Sequence, residues 1–251
     1  MNVDDVFMSR VAHDLRGELA TMVAGVHYLL RYEADLAPSA RQMLDRVDGA
    51  GQRLRRLLDE FDNAVWIGGG DPSALGLESC QLRPLVDEAI TRLRSAVAAR
   101  EVAVDLQIAE DLPAIEADPY VLGAAIEYVI DFALARSRKR TVRISCAMAD
   151  GAPVLTVVDE GGPLAPDVLA TLLEPFAERD VMPKVEPGQR RRERLGLGLS
   201  IARGVFEAHG GRLSASAAPE GVMLACVVAT TAATRATQPA SPSSEQLRKM
   251  A

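Results

Sequence analysis

Phe7-Met8-Ser9-Arg10-Val11-Ala12-His13-Asp14-Leu15-Arg16-Gly17-Glu18-Leu19 is the stretch from which the fold can be read. Apolar residues recur through it and beyond it at steps of three or four: Phe7, Val11, Leu15, Leu19, Met22, Val26 and Leu29. That spacing predicts one helix with a single apolar stripe, running from about Asp4 to about Leu36. His13, one of only three histidines in the chain, falls off the stripe, with Asp14 beside it and Arg16 next along. A lone helical histidine is most often solvated or structural, so its meaning depends on the rest of the chain.

Outward from this helix, Ala37-Pro38-Ser39 reads as a turn with Ser39 as N-cap. A second helix is predicted from Ala40 to Trp66. Leu44, Val47, Gly51, Leu54, Leu58, Phe61 and Val65 alternate steps of three and four along it, which is a heptad seam. Two long helices joined by a short turn make an antiparallel hairpin, and one hairpin cannot hide both seams. The natural arrangement is a four-helix bundle made by two chains; packing of the hairpin on the chain's own C-terminal part is the alternative.

Gly68-Gly69-Gly70-Asp71-Pro72-Ser73 punctuates the pattern as a linker. Beyond it strands and helices mix. Helices are expected over Leu82–Arg100, Asp118–Ser137, Pro166–Leu173 and Ile201–His209. Strands are expected over Val102–Ile108, Thr141–Met148, Pro153–Val158, Leu213–Ala217 and Val222–Ala229. Residues 177–194 form a long polar loop, of the kind that compact domains keep for function. The expected organisation is a hairpin over 1–66, a linker over 67–76, a C-terminal domain over 77–229 and an unpacked tail over 230–251. The fold class is α+β, a helical hairpin followed by an α/β sandwich.

The 251 residues suffice for two small domains, and 48% apolar residues can build their cores. A formal net charge of −7 argues against nucleic acid as a partner. No apolar run reaches the roughly 18 residues of a membrane span. Cys80, Cys146 and Cys226 are scattered, without a C-x-x-C pair, and read as buried reduced thiols of a cytoplasmic protein.

Two glycine-bearing segments carry chemistry. Val158-Asp159-Glu160-Gly161-Gly162-Pro163 follows an apolar strand. An aspartate there can accept a hydrogen bond from an exocyclic amine while the glycines let the backbone approach a ring; a plain turn with an N-capping aspartate is the alternative. Arg194-Leu195-Gly196-Leu197-Gly198-Leu199-Ser200-Ile201-Ala202-Arg203 places two glycines before a helix N-terminus, a ready anion site. His209-Gly210-Gly211 follows one helix later.

Together these segments resemble the cytoplasmic core of two-component sensor histidine kinases. His13-Asp14-Leu15-Arg16 is similar to the family's phosphoacceptor box, Asp159-Glu160-Gly161 to its first glycine box, Phe176 to its phenylalanine box and Gly196-Leu197-Gly198-Leu199 to its second glycine box. The resemblance covers about residues 5–229. It implies a dimeric phosphoacceptor hairpin followed by a Bergerat-type ATP-binding domain. It further implies that His13 takes a phosphoryl group while Asp14 receives the ring proton, and that Asp159 accepts a hydrogen bond from adenine. Gly161, Gly196, Gly198 and Leu199 would shape the nucleotide pocket and its lid, and Arg194, with Arg190, Arg191 and Arg192, would reach phosphate oxygens. The implied partners are a second copy of the chain and a response-regulator receiver domain.

The chain also departs from the family. Relatives carry two asparagines four apart on the helix corresponding to Asp118–Ser137, the second holding Mg²⁺; here those positions are Tyr128 and Phe132. A phenyl ring offers no oxygen to Mg²⁺. Glu127 and Asp131, one position earlier and also four apart, are the candidate metal ligands, with a solvated helix face as the alternative. Pro163 ends the first glycine box, and Glu18 stands where a proline is usual. Gly17 stands where many relatives carry Thr or Asn to orient a hydrolytic water. Because no sensor or anchor segment precedes the box, any signal is expected to arrive through a separate sensor protein or through the nucleotide domain. The expectation is a phosphoprotein and protein-histidine kinase of weak autokinase activity that exchanges its phosphoryl group with a receiver, with weak ATP binding and a doubtful Mg²⁺ site. An ATP-independent histidine phosphotransferase and a non-catalytic scaffold are the alternatives.

Overall fold

The computed structural model describes residues 3–33, 35–68, 75–137, 140–183 and 196–229. Residues 69–74 of the expected linker, Arg190–Arg194 and the tail 230–251 lie outside the described residues.

Helices α1 (Val3–Tyr32) and α2 (Pro38–Gly68) form the hairpin. α1 stops four residues short of the expected Leu36, the Glu33 N–H closing its last turn on the Leu29 carbonyl at 3.1 Å. Ser39 is not the N-cap of α2. Pro38 takes the first helical position, where its fixed φ is already helical and its missing N–H costs nothing, and the Arg41 N–H closes the first turn on Ala37 at 3.0 Å. Between the helices Ala12, Leu19, Val26 and Leu58 are buried. The backbones come close at Gly51, where a Cβ would lie 2.5 Å from Val23 Cγ2. His27 Nε2 reaches Asp48 Oδ1 across the hairpin at 2.7 Å. The seams are only half covered: Val11, Leu15, Met22 and Leu29 of α1, and Val47 and Leu54 of α2, remain exposed.

The C-terminal part is a two-layer sandwich. Its five-stranded sheet has the order β2-β4-β5-β7-β6, with β2 (Ala103–Ile108), β4 (Thr141–Ala149), β5 (Ala152–Val158), β6 (Arg212–Ala218) and β7 (Gly221–Val227). β2 pairs parallel with β4, and all other pairs are antiparallel. Alternate residues point inward: Val142, Ile144 and Cys146 on β4, Leu155 and Val157 on β5, and Val222, Leu224 and Cys226 on β7. They share one core with the apolar faces of α3 (Leu82–Arg100), α4 (Pro119–Arg136) and α6 (Gly198–Ala208). Helix α5 (Pro166–Thr171) is short.

Two three-residue strands, β1 (Glu78–Cys80) and β3 (Ile115–Ala117), pair antiparallel. They were not expected, being too short to show a period of two. α6 begins three residues earlier than the apolar pattern suggests. The H-G-G segment holds elements together. His209 Nδ1 bonds the Val205 carbonyl at 2.8 Å, so Nε2 accepts the Asp118 N–H at 3.1 Å. Asp118 in turn caps α4, its Oδ1 accepting from Tyr120 and Val121 and its Oδ2 from the Gly76 N–H. The end of α6 is thereby tied to the start of α4.

Candidate functional site

Helix α4 organises the site. Tyr128, Phe132 and Arg136 succeed one another at intervals of four and so share a face. Phe132 is fully buried, and the Arg136 guanidinium carbon lies 5.8 Å from the centre of its ring. Tyr128 comes within reach of α6, where a Cβ on Gly198 would stand 3.3 Å from Tyr128 Cδ1. One face of α4 therefore runs from the N-terminus of α6 to the turn that follows β5.

At the β5 end, Asp159 is 1% exposed. Its Oδ2 accepts Arg136 Nε at 3.0 Å and its Oδ1 accepts the Gly161 N–H at 2.8 Å. Two further donors of Arg136 go to backbone: Nη1 to the Val181 carbonyl at 2.9 Å and Nη2 to the Gly162 carbonyl at 2.6 Å. Glycine is needed at 161, because a Cβ there would sit 2.6 Å from Arg136 Cβ and 2.9 Å from the Arg136 carbonyl. Burial pushes the Asp159 carboxyl above its ordinary value, and the Arg136 charge and the Gly161 N–H pull it partly back. Asp159 and Gly161 are thus bonded to each other, and the second Asp159 oxygen, expected to face a ligand, is engaged by the protein's own guanidinium. Arg136 was not singled out in the sequence.

At the α6 end, Gly196 adopts φ +83°, a left-handed conformation that suits glycine, and its carbonyl accepts the Phe176 N–H at 2.7 Å. Gly198 and Leu199 open the helix. Their N–H groups donate to Glu178 Oε1 and Oε2, each at 3.3 Å, and Glu178 is 3% exposed. Glu178 belongs to a 3-10 turn, Ala177–Arg179, inside what was expected to be an open polar loop. A carboxylate of the chain itself thus sits on the helix start that was anticipated as an anion site. Arg194 lies outside the described residues.

The residues do not suit Mg²⁺. Phe132, at the position where the resemblance implies a donor oxygen, is a fully buried phenyl ring. Asp131 Oδ1 accepts Arg100 Nη1 at 2.9 Å, and a Glu127 oxygen lies 3.8 Å from Arg92 Nη1. Both candidate carboxylates therefore engage arginines of α3. Burial pushes the Glu127 carboxyl up, the Arg92 charge opposing. Among the described residues no three His, Cys, Asp or Glu side chains gather as a metal site would require.

His13 sits on α1, its side chain 83% exposed, with Nδ1 3.3 Å from Asp14 Oδ1. The other two histidines are engaged in helix packing and capping contacts, His27 with Asp48 and His209 with Asp118 and Val205.

A family model described as histidine kinase-, DNA gyrase B- and HSP90-like ATPase matches residues 120–234. The chain is 27% identical over 216 residues to the alginate biosynthesis sensor protein KinB of Pseudomonas aeruginosa, covering 85% of this chain and 34% of KinB. It is 26% identical over 207 residues to the sensor histidine kinase ZraS of Escherichia coli K12, covering 81% of this chain and 40% of ZraS. The chain thus spans well under half the length of these relatives. Among solved structures, full-length ShkA in complex with AMPPNP shares the fold at a TM-score of 0.70 and 18% identity, over 89% of this chain and 46% of that one. The histidine kinase ThkA in complex with the response regulator TrrA shares it at 0.58 and 16% identity, over 90% of this chain and 61% of that one. The family match and the similarity to sensor histidine kinases support a two-component histidine kinase ATPase domain as the C-terminal part of the chain.

Proposed function

We propose that the chain is a phosphoprotein of two-component signalling that carries a phosphoryl group on His13 and exchanges it with an aspartate of a receiver domain. The exposed pair of His13 and Asp14 carries this reading. With the Nδ1 proton held by the Asp14 carboxylate, Nε2 keeps the lone pair needed for attack. In the transfer, Nε2 bonds to the phosphorus of an aspartyl phosphate, the bond from phosphorus to the aspartate oxygen breaks, and the carboxylate departs ionised. Asp14 stabilises the positive ring that results.

The phosphoryl source that the geometry favours is a phosphorylated receiver. Asp159 is closed off by Arg136, and Phe132 stands where a metal-binding oxygen would be needed. ATP, acting through the C-terminal domain, is the second source, and the retained Asp159, Gly196 and Gly198 speak for it. The half-covered seams of the hairpin favour a homodimer, a second copy burying Leu15, Met22, Val47 and Leu54. Among the described residues no helix is long and apolar enough to cross a membrane.

The test is labelling. Incubation with a ³²P-phosphorylated receiver domain, and separately with labelled ATP, should produce an acid-labile phosphoprotein from the first source. Replacing His13 by Ala should abolish that label, and full labelling of the His13→Ala protein would sink the assignment.

A further inference from the structure

The two charged side chains at the ends of this α4 face, Glu178 and Arg136, are held by one short segment. Within residues 176–181, Phe176 is bonded to the Gly196 carbonyl, Glu178 to the N–H groups of Gly198 and Leu199, and Val181 through its carbonyl to Arg136. Residues 178 and 181 thereby fasten the α6 end and the β5 end of the same α4 face.

Each end is satisfied as a ligand would satisfy it. A buried carboxylate needs hydrogen-bond donors and a favourable field, and the first turn of an eleven-residue helix supplies both. A phosphate would make the same demand of the same two N–H groups, and one anion at a time can meet it. At the other end the Asp159 carboxylate needs a donor, and Arg136 Nε provides one at 3.0 Å. Asp159 is 1% exposed, and Arg136 is among the groups that shield it from solvent.

Resting on the assignment of this region as an ATPase-type domain, we propose that Glu178 and Arg136 are resident occupants of the nucleotide cleft. The carboxylate fills the phosphate end, the guanidinium fills the base end, and a nucleotide enters only by displacing the 176–181 strap that holds both.

The full chain is titrated calorimetrically with ATP and with ADP, with and without Mg²⁺. Wild type should bind weakly. Glu178→Ala should bind at least about tenfold more tightly, since a charge-assisted hydrogen-bonded competitor has gone. Glu178→Gln should fall between, because one of its two acceptors becomes a donor facing another donor. Binding by Glu178→Ala that is unchanged or weaker, in protein with a native near-ultraviolet spectrum, overturns the proposal. Tight binding by wild type overturns it too. Hydrogen exchange on the nucleotide-free wild type needs no variant: the Gly198 and Leu199 amides should be protected, and rapid exchange at both would equally refute the assignment. Failure of the His13 labelling would leave these measurements untouched, so the two readings fall separately.

Discussion

Arg136 and Asp159 form an ion pair from which solvent is almost wholly excluded, their side chains 3% and 1% exposed. Removing one partner strands the other, so Arg136→Ala should cost about 3–5 kcal/mol in urea unfolding. The loss should depend on pH. Burial already pushes the Asp159 carboxyl up, and without the guanidinium that restrains it the folded value rises further above the unfolded one. The native state of the variant then holds this proton more tightly than the unfolded state, so the contribution of Asp159 is fully present below the unfolded value and is lost as pH rises through the folded value. The gap between wild type and variant should therefore widen as pH rises from acid, and a gap that narrows would contradict the assignment. The thiols offer a second check. Burial pushes Cys146 up to about 11 and Cys226 higher still, whereas Cys80 is raised by burial and by Glu78 but stays partly exposed. Iodoacetamide at neutral pH should modify Cys80 first and reach the other two only on unfolding. Asp159, Gly161, Gly196 and Gly198 were legible because glycine beside an acid at a strand end, or before a helix, is a local signal. Arg136 and Glu178 were not. An arginine in a last helical turn normally complements the helix dipole, and a glutamate in a polar loop normally faces water. Their burial arises only when α4, α6 and the 176–181 segment meet.

At the scale of the elements, the hairpin was the most legible part because its signal repeats over many residues. The apolar stripe did not tell which of its residues face the partner helix and which are left over. Leu19 and Val26 are buried within the hairpin, whereas Leu15 and Met22 are 53% and 63% exposed. Replacing Met22 and Leu54 together by Glu should leave the helicity intact but shift the protein from dimer to monomer in analytical ultracentrifugation. A variant that remains dimeric would remove the bundle from consideration. Gly17 has open space around its Cβ position, so Gly17→Thr should fold. Because glycine is among the poorest helix formers, the change should stabilise α1 by a few tenths of a kcal/mol up to about 0.5 kcal/mol. Gly17 has no side chain to place a water, so Gly17→Thr should also hasten loss of phosphate from a phosphorylated receiver, and an unmodified protein that is already a brisk phosphatase would refute that idea. The short strands β1 and β3 and the 3-10 turn escaped the sequence because three residues carry no periodicity; their placement depends on partners distant in the chain.

At the scale of the whole molecule, the order of elements along the chain and their order across the sheet do not agree. β7, the last strand to occur in sequence, lies inside the sheet between β5 and β6, while β2, the first of the five, lies at an edge. Leu224 and Cys226 of β7 complete the row begun by Val157 and Leu155, and the Asp159 N–H closes on the Val222 carbonyl at 3.0 Å. During synthesis, therefore, a chain that has emerged only as far as Ala218 has β5 without its second neighbour, β6 without any, and the turn that bears Asp159 without its anchor. Folding of this half has to wait for the strand made last. A nascent chain stalled before Gly221 should be digested by protease through most of its C-terminal half, and adding the next seven residues should confer resistance in a single step.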